Sequence, residues 1–215
     1  SFTYNLTDKD GDVVSATVTV EVTSLGNPGV VIVDNNLAVA GQVTVQESDL
    51  ATGTNSAGTA ESASGTMTIT ALNGVVNMKF INGVTITTVT KAELDNLAVT
   101  NKTISTDEGT LTLTSFVGNV LSYTYTITAA QQNVVGANPD ITVGSVFDHL
   151  DITVTDGANL TSAITVFGAT ILDDAPTAGN DSLGTGLNQL FTGSLALNDK
   201  MGADVGGTWS LGNTA

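Results

Sequence analysis

Three carboxylates occupy alternate positions of one short segment, Asp8, Asp10 and Asp12 in "TDKDGDVVSATVTVEV". A hard cation such as Ca2+ takes roughly six to eight oxygen ligands, and alternate acids on a tight turn supply several of them. Left without a cation, carboxylates so placed repel one another. The spacing is not that of an EF-hand, where Gly follows the third acid; here Gly11 precedes it. The competing reading is a plain Asp-Gly turn on a solvated surface. A second acidic group, Asp173, Asp174 and Asp181, surrounds Pro176. Glu47 and Asp49 follow a strand-like stretch, from which they can reach the same pole as that group. Asp148 and Asp156 lie in a third acid-bearing stretch, with Asp151 pointing outward from a strand. For any single acid a solvated face is the simpler explanation; the clusters are what suggest metal.

The whole chain leans the same way. It has 215 residues, with 21 acids against five basic residues, all Lys, and a net charge of −16. Such a field repels nucleic acid and anionic membrane. Without Arg the usual clamp for phosphate or carboxylate ligands is missing. Either the acids only keep the surface soluble, or cations bind them. There is no Cys, which excludes disulfides, thiolate zinc sites and cysteine nucleophiles. No apolar run approaches the ~20 residues that span a bilayer, and no signal peptide is visible.

Catalytic patterns are missing. His149, the single histidine, stands between acids in "FDHLD", but beside a β-strand it reads as a surface residue. Neither G-x-S-x-G, H-E-x-x-H nor a phosphate-cradling Gly-rich loop occurs. With 21 acids, accidental carboxylate pairs are inevitable, so an enzyme is not expected. Tyr4, Tyr123, Tyr125 and Trp209 can stack on sugars. Tyr123 and Tyr125 share a strand face, as a glycan platform if exposed or as core if covered. "TITTVT" reads as ordinary β-propensity rather than a hydroxyl array for ice.

The elements that must position these residues are mostly strands. Hydrophobic residues make up 41% of the chain and aromatics only 5%, so the core is expected to be Val, Ile, Leu and Ala in a β-rich palette. Residues 2–6 and 13–22 alternate around the acidic turn and predict a hairpin. "SLGNPG" at 24–29 marks a boundary. "VVIVDN" predicts a short strand, and Val43 and Val45 alternate ahead of Glu47. Residues 51–65 read as a loop. "TMTITAL", "VVNMKFI" and "VTITTVT" are strands separated by Asn-Gly turns, and residues 91–99 are the one credible helix. "EGTLTLTSF" and "VLSYTYTIT" form a hairpin around Gly118 and Asn119; residues 130–145 are a loop. "HLDITVT" and "TSAITVFGATI" repeat the hairpin pattern, and residues 172–181 form a Pro-containing joint. Roughly a dozen short strands with short turns predict an all-β sandwich.

A long-period repeat sets the boundaries. "FTYNLTDKDGDVVSATVTVEV" and "FDHLDITVTDGANLTSAITVF" both run strand, acidic Gly turn, then Ser-Ala into a strand, with Ser15 and Ser162 147 residues apart. That period is a whole domain. Residues 1–25 are thus the terminal hairpin of a preceding repeat or strands added to the main domain. Residues 26–176 are the β-sandwich repeat, and 177–215 start the next β module. The chain reads as a segment of something longer.

The stretches "VTVQESDLATGTNSAGTAE", "DEGTLTLTSF", "LSYTYTITAAQ" and "LDDAPTAGND", in that order, resemble a repeat domain of giant RTX adhesins secreted by type I systems. The resemblance covers roughly residues 30–181. "LNQLFTGSLALNDKMGADV" resembles the opening strands of a neighbouring cadherin-like module. The resemblance implies an all-β, Ig-like or cadherin-like β-sandwich with one short helix, part of a tandem array. It also implies a calcium cofactor, Ca2+, bound at the acid clusters. It places the chain outside the cell on the bacterial surface, as an extender supporting adhesion and biofilm formation. Its partners would be neighbouring domains of the same chain, with host or surface glycans or peptides reached through an adjacent module. The alternative is a calcium-dependent glycan- or peptide-binding module, or the scaffold into which one is inserted.

Overall fold

The computed structural model describes residues 1–20, 26–32, 41–131, 146–180 and 198–204. The chain forms β1 (Phe2–Thr7), β2 (Val13–Val18), β3 (Gly29–Ile32), β4 (Val43–Gln46), β5 (Ser62–Thr70), β6 (Val75–Asn82) and β7 (Thr85–Thr90). It continues with the helix α1 (Lys91–Asp95), β8 (Lys102–Ser105), β9 (Gly109–Val117), β10 (Val120–Ile127), β11 (Val146–Asp156) and β12 (Thr165–Leu172). Two five-stranded sheets, in the orders β3-β5-β10-β9-β8 and β4-β12-β11-β6-β7, face each other as a β-sandwich. Every pairing in the first sheet is antiparallel. In the second, β4 runs parallel to β12 and the rest are antiparallel.

The sandwich follows from period-two alternation. In β10, "VLSYTYTI", every second residue is buried: Leu121, Tyr123, Tyr125 and Ile127. They meet Met78, Phe80, Leu150, Ile152 and Phe167 from the other sheet in one hydrophobic core. The Phe167 ring lies 5.3 Å from Tyr123, edge to face, and 5.8 Å from Tyr125. Tyr123 and Tyr125 are therefore core, not a glycan platform. The opposite face of the first sheet carries hydroxyls that pair across strands, Ser62 with Thr126 and Ser64 with Thr124, each at 2.8 Å. Such pairs each contribute a few tenths of a kcal/mol, roughly.

Three elements differ from expectation. β5 starts at Ser62, inside the predicted loop, because small hydroxyl residues suit the solvent face of a strand. The helix spans only Lys91–Asp95: the Thr90–Glu93 capping box starts it, and Asn96 leaves helical geometry. β8, which lacks enough alternation to be recognised, is held as an edge strand by pairing with β9. Residues 132–145, Asp181 and Trp209 lie outside the described residues.

Among the described residues the terminal hairpin stands by itself. β1 and β2 pair with each other as a two-stranded sheet, and residues 1–20 are all exposed. Register puts Phe2, Tyr4 and Leu6 opposite Val18, Ala16 and Val14 on one apolar face.

Candidate metal centre

The parallel pair β4–β12 builds the site. Gln46 is the register partner of Leu172, so the next residues, Glu47 and Asp173, leave the sheet side by side at one pole. Glu47 opens a single 3-10 turn, Glu47–Asp49, that swings the chain away and leaves its side chain buried at the pole. Asp204 reaches the same point from a segment that returns over the pole. Carboxylate oxygens of Glu47, Asp173 and Asp204 all lie within 4.8 Å of one another.

Asp174 is the fastener for that returning segment. Its Oδ1 accepts from the Thr54 hydroxyl at 2.5 Å. Its Oδ2 accepts from the backbone N–H groups of Thr54 at 2.8 Å and Ala203 at 2.9 Å. The Lys200 ammonium donates to the Thr54 carbonyl, and Lys200 exchanges backbone hydrogen bonds with Thr177. Gly202 turns the segment with φ +88°, where a Cβ would come within 2.7 Å of the Asp174 carbonyl oxygen. Asp204 is thereby fixed beside two acids.

The electrostatics are unbalanced. Glu47 Oε1 accepts from the Gln131 N–H at 2.7 Å, but Glu47 Oε2 and Asp173 Oδ1 are buried with no hydrogen-bond partner. Burial first, then the charges of Asp204, Asp173 and Asp174, push the Glu47 carboxyl up to about 7. Burial and the charges of Asp173 and Asp174 also raise the Asp204 carboxyl. The ion pairs among the described residues, Lys91–Asp95 and Lys102–Glu93, involve none of these acids. Uncompensated buried charge of this kind costs several kcal/mol, roughly. A metal ion can be held here.

The other predicted acids lie away from this group. Asp8, Asp10 and Asp12 form a second group able to hold an ion, fully exposed at the hairpin tip. Asp8 Oδ1 accepts from the N–H groups of Gly11 at 3.0 Å and Asp12 at 2.9 Å, so the turn is already closed. A hydrogen bond with Asp10 and those amides lower the Asp8 carboxyl. Asp49 turns away from Glu47 and braces the following loop, accepting from Ala60 N–H and Asn55 Nδ2, each at 2.8 Å. Asp156 is at the other end of β11, where it accepts from Asn73 Nδ2 at 2.7 Å and the N–H groups of Ala158 and Leu160. Those bonds lower both carboxyls, with Ala60 foremost for Asp49 and Asn73 for Asp156. Asp49 and Asp156 are structural braces. Asp148 is buried against Tyr125, whose hydroxyl donates to its Oδ2 at 2.6 Å. His149 is exposed beside Phe147.

Sequence reasoning found Glu47 and Asp173 and missed Asp204. Its one signal was an acid within the "NDKMGAD" stretch, far along the chain from its partners. No protein-family model matches the chain, and neither a curated protein nor a solved structure is found similar to it.

Proposed function

We propose that the chain is a calcium-stabilised structural module of a large secreted bacterial adhesin, one unit of a tandem array that projects a distal binding module from the cell surface. The observation that carries the reading is the Glu47–Asp173–Asp204 group: three oxygen donors within 4.8 Å, two of them with buried bare oxygens. All-oxygen carboxylate sets suit calcium, which tolerates irregular geometry. The ion would supply positive charge to three acids that form no ion pair among the described residues. Glu47 and Asp173 end strands of the sandwich and Asp204 lies in the segment fastened over its pole, so one ion would tie the two together.

The terminal hairpin supports the array. With Thr7-Asp8 aligned on Thr155-Asp156 in the repeat, Phe2, Tyr4 and Leu6 correspond to Leu150, Ile152 and Val154 on the core face of β11, all three fully buried. On the hairpin, Phe2 and Leu6 are 60% and 65% exposed. A preceding sandwich of the same kind would cover them.

Thermal unfolding in EDTA, in millimolar calcium and in millimolar magnesium tests the reading. A rise in Tm with calcium that Glu47→Gln and Asp204→Asn abolish supports it. An unchanged Tm reduces the acids to solubility and removes the calcium-stiffened module.

A further inference from the structure

We propose that Asn82 is a site of spontaneous covalent modification: the Gly83 nitrogen displaces its side-chain amide, and water completes the conversion to isoaspartate or aspartate. The inference stands apart from the metal centre and from the proposed function.

The chain carries the same tripeptide twice, which supplies an internal comparison. Asn73-Gly74-Val75 and Asn82-Gly83-Val84 are its two Asn-Gly pairs, preceded by Leu72 and Ile81 respectively. They lie in the turns on either side of β6. A glycine after asparagine favours ring closure, because no Cβ hinders the approach of its nitrogen to the preceding side chain. Local sequence therefore gives both sites the same intrinsic reactivity. Their surroundings separate them.

Asn73 is locked. Its Nδ2 donates to Asp156 Oδ2 at 2.7 Å. The Gly74 N–H, which would have to attack, donates to the Ala71 carbonyl at 2.8 Å, and the Gly74 carbonyl accepts from the Gly157 N–H at 3.0 Å. The Asn73 carbonyl also presses on Gly157, where a Cβ would lie 2.4 Å from it. Ring closure at Asn73 needs these bonds to open together.

Asn82 has no such lock. It ends β6 opposite Thr85 at the start of β7, so Gly83 and Val84 are the whole loop. Gly83 takes φ +55°, with nothing within 4 Å of where its Cβ would stand, and both loop residues are exposed. Among the described residues no hydrogen bond engages the Asn82 side-chain amide or the Gly83 N–H. Rotation at Asn82 alone brings the nitrogen onto the side-chain carbon, and fraying at a hairpin tip is the least costly opening in a sheet.

The step balances with water alone. The Gly83 nitrogen gives its proton to hydroxide and bonds to Asn82 Cγ; the Cγ–Nδ2 bond breaks and ammonia leaves, closing a five-membered imide. Water then opens either imide carbonyl. Opening at Cγ leaves aspartate. Opening at the original backbone carbonyl leaves isoaspartate, with the chain running through Cγ and one methylene longer. That extra atom falls at the Asn82–Thr85 pair, which closes the hairpin to the edge strand β7.

The full-length folded chain, held at mildly alkaline pH and body temperature and sampled over weeks, tests the proposal. Proteolytic peptides are weighed for amide-to-acid conversion, and isoaspartate is counted by isoaspartyl methyltransferase labelling. The Asn82 peptide should convert at least about tenfold faster than the Asn73 peptide. In concentrated urea the two rates should converge, because the tripeptides are identical. Asn82→Gln should remove most of the isoaspartate formed by the folded chain. Equal rates at the two sites in the folded chain, faster conversion of Asn73, or an isoaspartate yield unchanged by Asn82→Gln would each overturn the proposal.

Discussion

Glu47 and Asp173 are the first residues beyond two parallel strands held in register, with Gln46 opposite Leu172. Their carboxylates therefore leave the sheet together, within 4.8 Å of each other and of Asp204. Acids so far apart in sequence meet because β4 and β12 run the same way. An antiparallel pairing would have sent them to opposite poles.

Glu47→Gln should have opposite effects with and without calcium. In EDTA it removes a buried like charge and should stabilise the chain by about 1–3 kcal/mol. In calcium it removes a ligand and should abolish most of the calcium-induced rise in Tm. Paired melting curves check both signs; a loss of stability in EDTA would mean that Glu47 already has a compensating partner.

The pH dependence in EDTA follows from the same residue. Glu47 titrates near 7 in the fold, above an ordinary glutamate. Its stabilising contribution is then fully present below the ordinary carboxylate pKa and is lost as pH rises towards 7. The size is on the order of 3 kcal/mol. Asp204 and Glu108 are raised too and act in the same direction. Asp49 and Asp156 are lowered and act oppositely: their contribution is lost as pH falls through their folded pKa. Tm in EDTA should peak at about pH 4–5 and decline towards 7, and saturating calcium should flatten the decline. A Tm that climbs steadily from pH 5 to 7 in EDTA would contradict this assignment.

Asp156→Ala should separate a brace from a ligand. It leaves the N–H groups of Ala158 and Leu160 and the Asn73 amide without their acceptor. The expected cost is about 2–4 kcal/mol in denaturant unfolding, with the calcium-induced rise in Tm unchanged. A diminished calcium response would make Asp156 a ligand after all.

The hairpin should be nearly independent of the sandwich. Leu6→Asp is expected to change the main unfolding transition by less than about 0.5 kcal/mol. Backbone amides of residues 1–20 should exchange quickly, since an isolated two-stranded hairpin is marginal in water. Strong protection there would show that the apolar face is covered within this chain.

Much of this was legible in the residues themselves. Alternation in "VLSYTYTI" located the strand and put Leu121, Tyr123, Tyr125 and Ile127 on one face, because successive side chains point to opposite sides. The Asn-Gly turns at 73–74 and 82–83 located β5, β6 and β7. Alternation cannot say which face of the sheet is covered, so core was the better reading of Tyr123 and Tyr125, and the platform reading fell only when the second sheet brought Phe167 against them.

The sequence by itself determined an acidic, cysteine-free β-sandwich with acids concentrated at turns and strand ends, since composition and period-two patterning are local properties. Only the tertiary structure decided which acids meet. Asp49 and Asp156 were drawn into hydrogen bonds with nearby amides, whereas Glu47, Asp173 and Asp204 were brought together by a parallel strand pair and a returning segment. Strand direction and long-range register depend on the packing of the whole core, and no short window of residues contains them.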